Sequence, residues 1–295
     1  MEVSRKESKE KSKVAFTSIL AAIFLTISKL VVGLVTGSLG IISEALHSGL
    51  DLIAAIMTFF SVKIADKPPD KQHNYGHGKI ENLSALFQTL LLLFTCFWIV
   101  YEAYQRLTGS EHQVDVNVWS FAVIIVSIII DIGRSRALMK TAKKYNSQAL
   151  EADALHFASD ILSSAVVIFG LIGAYLGFPE ADAISALIVA VIVIIISLKL
   201  GKKSIDALID KTPNIPLENI NKIVEGCEHI SEVHNIKARA SGSNVFIDLN
   251  IHINGNKTLI EAHQISHNLE AKIKEAFPKT FIHIHIEPDK DTHVD

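Results

Sequence analysis

The first two thirds of the chain alternate long apolar segments with short polar connections, and the last third has a mixed pattern typical of a soluble domain. Each apolar segment is long enough to cross a bilayer as a helix. The short, glycine-containing connection 37–40 makes the first two segments an antiparallel hairpin. The pattern predicts an all-α bundle of six transmembrane helices, at 14–36, 40–64, 80–104, 116–138, 153–177 and 182–200.

The region after Lys203 has the pattern of a small α/β domain, and Pro213 and Pro216 mark the break that precedes it. Helical periodicity and strand alternation predict five elements. These are a helix at 216–227, strands at 232–240 and 245–253, a helix at 258–276 and a strand at 281–286. This αββαβ order indicates a ferredoxin-like fold. Its core is small, so association with a second copy is expected.

The composition agrees with a membrane part joined to a polar part, since 49% of residues are hydrophobic and 20% are charged. We predict an N-terminal tail at 1–13, a transmembrane domain at 14–211 and a cytoplasmic domain at 212–295. The net charge of −3 gives no reason to expect a nucleic-acid partner. No small-residue cleavage site follows the first apolar segment, which predicts a retained span rather than a signal peptide. Cys96 and Cys227 imply no disulfide framework.

Basic residues are distributed unevenly between the connections. They concentrate in the N-terminal tail, in the predicted loops 63–79 and 134–144, and after the last span at 199–203. The alternate connections are poor in them and hold Arg106 alone. The positive-inside rule therefore places both termini in the cytoplasm. The expected location is the cell (inner or plasma) membrane, where the spans contact lipid.

Two of the apolar segments contain the same short pattern, a histidine followed four residues later by an aspartate. The pairs are His47 with Asp51 and His156 with Asp160. On a helix, each pair lies on one face about one turn apart. Ionisable groups inside a membrane span are costly and are functional candidates. Two imidazoles and two carboxylates would supply the four ligands of a tetrahedral Zn²⁺ site.

The spans carry further polar residues, which should face the bundle interior or a hydrated cavity. Each of them, taken singly, is also explained by hydrogen bonds that hold helices together. They are Glu44, Glu81, Asn82, Asp131 and Asp182.

The C-terminal domain is rich in histidine. Composition alone leaves two interpretations open, a solvated sheet edge and a metal-binding cluster. The histidines are His229, His234, His252, His263, His267, His283, His285 and His293.

Four motifs lie in or next to the predicted spans. They are Ser43-Glu-Ala-Leu-His47-Ser-Gly-Leu-Asp51, Tyr75-Gly-His77-Gly-Lys79-Ile-Glu81, Asp153-Ala-Leu-His156-Phe-Ala-Ser-Asp160 and Asp182-Ala-Ile-Ser-Ala-Leu. One HxxxD motif in a helix is weak evidence, but two such motifs with a GHGK segment between them are specific. Together the motifs resemble the cation diffusion facilitator family of divalent-metal transporters, over about residues 14–288, and its prokaryotic zinc exporters in particular.

The resemblance implies a homodimeric antiporter, not an enzyme, that exports a divalent metal from the cytoplasm in exchange for protons. The family's transport site maps onto His47, Asp51, His156 and Asp160. The resemblance also implies zinc, because family members with histidine in both pairs prefer it. Two imidazoles with two carboxylates suit Zn²⁺ or Co²⁺ as well. Zinc is therefore expected as the substrate and as a structural or regulatory ion, with cobalt, cadmium and iron as further substrates.

The resemblance implies two more metal sites. The first maps onto Asp70, His73 and His77 in the loop after the second span, where the alternative is a solvated loop. The second lies in the cytoplasmic domain, where Asn250 stands in place of a family histidine and His252 follows two residues on. Its expected ligands are His234, His252, His263, His285 and Glu287.

Lys79 resembles a family lysine that pairs with an aspartate after the sixth span, here Asp210. Such a salt bridge would hold the dimer and act as a hinge. The alternative is an ordinary lysine that extends to the membrane surface.

Two other functions fit parts of the sequence. A metal-gated channel would need a continuous hydrated pore and no proton gradient. A membrane-anchored metal sensor would use its spans only as anchors, and would have no need of costly polar groups inside them. No nucleophile, general base or phosphate-binding motif indicates an enzyme.

Overall fold

The computed structural model describes residues 2–37, 39–108, 118–175, 181–213 and 217–289. The chain forms two compact units, Met1–Ile205 and Asp206–Asp295. The first is helical, and the second contains a small sheet. Several predicted features lie outside the described residues. They are Ser38 of the connection 37–40, the span ends 116–117 and 176–177, Pro216 and His293.

Long helices build the first unit, and the last of them continues into the second. Their bounds are α1 Glu2–Thr36, α2 Leu39–Ala65, α3 Lys79–Leu107, α4 Val118–Tyr145, α5 Gln148–Tyr175 and α6 Ala181–Leu208. Over the described residues, each predicted span lies within one of these helices. Apolar stretches long enough to cross a membrane were found in α1, α2 and α3 of the described chain, at Lys6–Val35, Ala45–Ala65 and Lys79–Gln105.

The basic segment 134–144 is helical, so its prediction as a loop is wrong. α4 continues through it to Tyr145, and α5 begins only three residues later at Gln148. The extended part of the helix keeps an apolar face, since Leu138 and Ala142 are buried in one cluster with residues of α5. Arg134 is itself accommodated inside the bundle, where it is 7% exposed. The Arg134 guanidinium lies 3.0 Å from Asp131 and stacks over the Phe157 ring.

The helices of the first unit pack in two main pairs, α1 with α2 and α4 with α5. The first pair approaches closely at Gly33, where a Cβ atom would lie 2.8 Å from a side-chain carbon of Ile42. The second pair is lined by the buried small residues Ala142, Ala149 and Ala154. Small side chains let helix backbones approach each other, which is how apolar helices associate within a membrane.

The second unit has the element order that the sequence predicts. Its elements are α7 Leu217–Glu225, β1 Glu232–Ser241, β2 Asn244–Ile253, α8 Leu259–Ala276 and β3 Thr280–Pro288. The sheet order is β1-β2-β3, with β1 and β2 antiparallel and β2 and β3 parallel. A capping box of Thr258 and Glu261 begins α8.

The core of the second unit lies between one face of the sheet and the two short helices. Alternate residues of β2 are buried against helical residues such as Leu269 and Ile273. The opposite alternation places Asn250 of β2 beside His234 of β1 and His285 of β3. The next register position pairs His252 with Glu287. The sheet therefore gathers at one end several of the ligands predicted for the second unit (the tail).

Candidate metal sites

The two His-xxx-Asp pairs face each other, one from α2 and one from α5. The closest contact joins His156 Nε2 to Asp51 Oδ1 at 2.9 Å. His156 Nε2 also lies 3.8 Å from Asp160 Oδ2. His47 Nε2 lies 3.8 Å from Asp160 Oδ1 and 4.0 Å from Asp51 Oδ1. One ligand atom from each of His47, Asp51 and Asp160 lies within 4.8 Å of the others. His156 adjoins this group through its contacts with both aspartates. The four residue types are those that a tetrahedral zinc site uses.

The four side chains differ in their exposure. The side chains of His156 and Asp51 are the most buried, at 7% and 12% exposed. The side chain of His47 is 38% exposed, and that of Asp160 is 17% exposed. His47 is therefore the member of this group with the most room for a change of side chain.

Charged neighbours of the pairs were not among the predicted site residues. Arg134 donates to Ser18 Oγ of α1 and pairs with Asp131, while its guanidinium carbon lies 3.5 Å from the ring centroid of Phe157. Phe157 directly follows His156, so Arg134 contacts the helix that carries half of the ligands.

Two further polar side chains lie close to the pairs along the chain. Lys29 of α1 is buried and donates to Ser48 Oγ at 2.9 Å, next to His47. Asp153 is fully buried one turn before His156. The sequence carries a signal for both residues. Lys29 is a charge within an apolar segment, and Asp153 is part of the family motif. The side chains of Glu44 and Asp182 lie outside the structure's description.

A second group lies in the connection between α2 and α3. His73 Nδ1 is 3.3 Å from Asp70 Oδ1, and His77 Nε2 is 3.4 Å from Asp70 Oδ2. The two imidazole centroids are 4.4 Å apart. Asp70 Oδ1 accepts the backbone N–H groups of His73 and Gln72, at 2.7 and 2.9 Å. These bonds, the one from His73 foremost, lower the pKa of the Asp70 carboxyl. The carboxylate is therefore ionised at neutral pH and available as a ligand.

A third group lies on the sheet of the second unit. One ligand atom from each of His234, His252 and Glu287 lies within 4.8 Å of the others. His252 Nδ1 donates to the Pro288 carbonyl at 3.0 Å, which leaves the lone pair of a neutral ring on Nε2. That buried nitrogen faces Glu287 Oε2 at 3.3 Å. Two lone pairs at this distance require a proton or a cation between them, so the group fits a metal ion.

The other two predicted tail ligands are not part of this group of three. His285 Nε2 lies 3.7 Å from the other Glu287 oxygen, Oε1, and its side chain is 62% exposed. Oε1 also accepts the Asn250 amide at 2.6 Å. His263 lies on α8 and stacks on His267. The described geometry therefore favours His252 over His263 as a ligand.

We predict that His252→Gln weakens Zn²⁺ binding in the tail at least about tenfold, since it removes a buried ligand atom. His263→Gln is the matched control and should change the affinity little. Isothermal titration of full-length protein is the measurement, in a background with Asp51→Asn, Asp160→Asn and His77→Ala to disable the other groups. Equal losses in the two variants, or none in His252→Gln, would show that His252 is not a ligand.

The proposed partner of Lys79 stays a prediction. Lys79 is the first residue of α3. Asp210 lies just after α6 with a positive φ of 59°, and its carboxylate is 3.6 Å from the Arg239 guanidinium.

Comparison with known proteins matches almost the whole chain. A family model described as the cation efflux transmembrane domain matches residues 15–209, and one described as the cation efflux protein cytoplasmic domain matches 212–289. An uncharacterised transporter of Methanocaldococcus jannaschii is 34% identical over 281 residues, which cover 94% of this chain and 99% of the relative.

Two further relatives carry functional names. The magnetosome protein MamB of Magnetospira sp. strain QH-2 is 31% identical over 252 residues, covering 84% of this chain and 85% of MamB. The cation-efflux pump FieF of Yersinia enterocolitica is 29% identical over 274 residues, covering 92% of this chain and 90% of FieF. The similarity therefore includes both the helical and the C-terminal regions.

Proposed function

This chain belongs to the cation efflux, or cation diffusion facilitator, family of membrane metal transporters, and from that premise we propose that it exports Zn²⁺ in exchange for protons. Members of the family are transporters rather than enzymes, and the cytoplasmic dimerisation domain indicates a homodimer that acts on metal ions. The proposal adds the metal, the counter-ion and the residues that bind them.

One observation carries the proposal, the contact of 2.9 Å between His156 Nε2 and Asp51 Oδ1. A nitrogen and an oxygen at this distance form a hydrogen bond when one proton lies between them. The same nitrogen and oxygen are proposed to bind the metal, which needs a neutral imidazole and an ionised carboxylate with free lone pairs. Metal and proton therefore exclude each other at this contact. A site that binds one or the other is the chemical basis of exchange.

The donor set supports zinc. Two imidazole nitrogens and two carboxylate oxygens match the ligands and the number that Zn²⁺ takes in tetrahedral sites. Mn²⁺ and Mg²⁺ prefer oxygen ligands and higher coordination numbers. Co²⁺, Cd²⁺ and Fe²⁺ accept similar donors, so we propose them as weaker substrates.

We propose that α1–α6 all cross the membrane and that both termini lie in the cytoplasm. The uneven distribution of basic residues supports this orientation. The αββαβ order of the second unit and its mixed sheet support a ferredoxin-like fold. The inner or plasma membrane, with its lipid around α1–α6, is the proposed location.

In the proposed cycle, Zn²⁺ from the cytoplasm displaces protons from the facing His-xxx-Asp pairs. Helices then tilt against each other around the site and expose it to the other side. A more acidic exterior returns protons to the imidazoles and carboxylates, which releases the ion. Imidazole suits this role because it exchanges protons near neutral pH.

The other two groups are proposed as accessory metal sites of the cytoplasmic side. An ion held by Asp70, His73 and His77 would lie between the ends of α2 and α3. An ion held by His234, His252 and Glu287 would rigidify one end of the sheet. Occupancy of the tail would then report the cytoplasmic zinc level to the transporter, which requires that the tail site and the transport site be energetically coupled.

The proposal is tested by the dependence of zinc uptake on a proton gradient in reconstituted vesicles. An antiporter needs the gradient for uptake against a zinc gradient, and collapse of the proton gradient by an ionophore should stop that uptake. A channel would conduct zinc down its own gradient regardless of pH.

A further inference from the structure

A buried lysine joins α1 to the connection that follows α2. Lys11 is 1% exposed. Its Nζ lies 2.5 Å from Asp66 Oδ1 and 3.1 Å from Glu81 Oε1. A buried ammonium is costly unless it is paired and hydrogen-bonded, and here two carboxylates meet that need. Lys11 is therefore held in one place rather than forming part of a solvated basic tail.

The cluster also contacts the start of α5. The second carboxylate oxygen of Glu81 accepts the Ser147 hydroxyl at 2.5 Å. Ser147 is buried and directly precedes α5. The Lys11 cluster, defined as Lys11, Asp66, Glu81 and Ser147, thus connects four helices at one end of the bundle. Two of them, α2 and α5, carry the ligands of the proposed transport site.

The two carboxylate partners of Lys11 flank the loop group. Asp66 directly follows the last residue of α2, and Glu81 lies in the first turn of α3. The segment between them carries Asp70, His73 and His77. Lys11 therefore holds both ends of the segment that contains the three candidate ligands. Held ends lower the conformational entropy lost when three ligands assemble around an ion.

We propose that Lys11 is a positioning residue for the loop metal site, and that it ties the geometry of this site to the adjoining ends of α2 and α5. The inference rests on the proposed binding of metal by Asp70, His73 and His77. Helix α1 would thus support metal binding although it supplies none of the three proposed ligands. Neutralising Lys11 leaves the Asp66 and Glu81 carboxylates facing each other without a cation, so they move apart and take the ends of the segment with them.

The test is the Zn²⁺ affinity of the loop site in full-length protein. A background with Asp51→Asn, Asp160→Asn and His252→Gln disables the other two groups, and Zn²⁺ is titrated calorimetrically. Lys11→Met should weaken binding at least about tenfold, the size of effect typical of residues that orient ligands. Lys11→Arg keeps the charge and should restore most of the affinity. Lys13→Met is the matched control, since Lys13 is exposed two residues away, and should change nothing.

Two further measurements separate positioning from general loss of structure. Zn²⁺ affinity at the tail site, measured with His77→Ala and intact His252, should be unchanged by Lys11→Met. If Lys11→Met does not yield a monodisperse protein, Asp66→Asn should show the same selective loss, because it frees one end of the segment.

Wild-type loop affinity in a monodisperse Lys11→Met protein would overturn the inference, as would equal losses at the loop and tail sites. A background protein that binds no Zn²⁺ at the loop would overturn it as well. That last result would leave the transport proposal standing, because zinc uptake by protein with intact His47, Asp51, His156 and Asp160 is measured independently.

Discussion

Replacing Asp51 or Asp160 by asparagine is expected to abolish zinc transport, with uptake lowered at least about 100-fold. Asparagine has almost the same shape as aspartate, so the helices can pack as before. It lacks the negative charge that binds both the metal and the proton. Asp51 is the stronger case, because its Oδ1 lies 2.9 Å from His156 and 4.0 Å from His47. The measurement is Zn²⁺ uptake into proteoliposomes that contain a zinc-sensitive dye.

Asp248→Asn is the matched control for this prediction. It makes the same chemical change at a side chain of the sheet that is 58% exposed, and uptake should be unaffected. Size-exclusion chromatography of each variant shows whether the dimer is intact. Near-normal uptake by a dimeric Asp51→Asn protein would contradict the assignment of the transport site.

Exchange of His47 for aspartate is expected to change the choice of metal. The site would then present three carboxylates and one imidazole, a set that favours harder ions such as Mn²⁺. His47 is partly exposed, so there is room for a water molecule beside the shorter aspartate side chain. That water would complete the higher coordination number of Mn²⁺. The ratio of Mn²⁺ to Zn²⁺ uptake should rise about tenfold or more, equivalent to about 1.4 kcal/mol of preference.

His283→Asp makes the same exchange on the exposed side of β3, where the side chain is 78% exposed, and should leave the ratio unchanged. Competition between the two ions in one vesicle preparation gives the ratio directly. An unaltered preference in His47→Asp, with transport retained, would mean that His47 is not a ligand during transport.

Spacing alone predicts part of the transport site. The four-residue interval places His47 over Asp51 and His156 over Asp160, but it does not show that the two pairs meet. That expectation came from the family resemblance, because contact between α2 and α5 depends on tertiary packing. The structure places the two pairs face to face. The identity of the bound ion remains a proposal that follows from the ligand chemistry.

The buried basic residues were the main features that sequence reasoning missed. Lys11 and Arg134 lie at the ends of apolar segments, where the positive-inside rule explains any lysine or arginine. Their partners are distant in sequence, with Glu81 70 residues from Lys11 and Ser18 116 residues from Arg134. Hydropathy reports a charge but not its partner. The same ambiguity made the end of α4 look like a loop.

In the tail, the sequence predicts the helices and strands but not which histidines come together. Its elements follow from local signals such as the capping box at Thr258 and the alternation in β2. The choice of ligands depends on register between strands, which brings His252 beside Glu287. His263 shares a helix with His267 and has no such register to bring it to the sheet. Local pattern therefore predicts elements better than it predicts which histidines assemble.

The most direct test of the central claim is to record zinc and protons together in one population of proteoliposomes. The vesicles would contain a zinc-sensitive dye and a pH-sensitive dye, with an acidic interior and Zn²⁺ added outside. We expect zinc to enter as protons leave, with both signals lost in Asp160→Asn and with zinc entry slowed when the pH gradient is reversed. Zinc entry without proton exit, at a rate independent of the pH gradient, would contradict antiport and favour a channel.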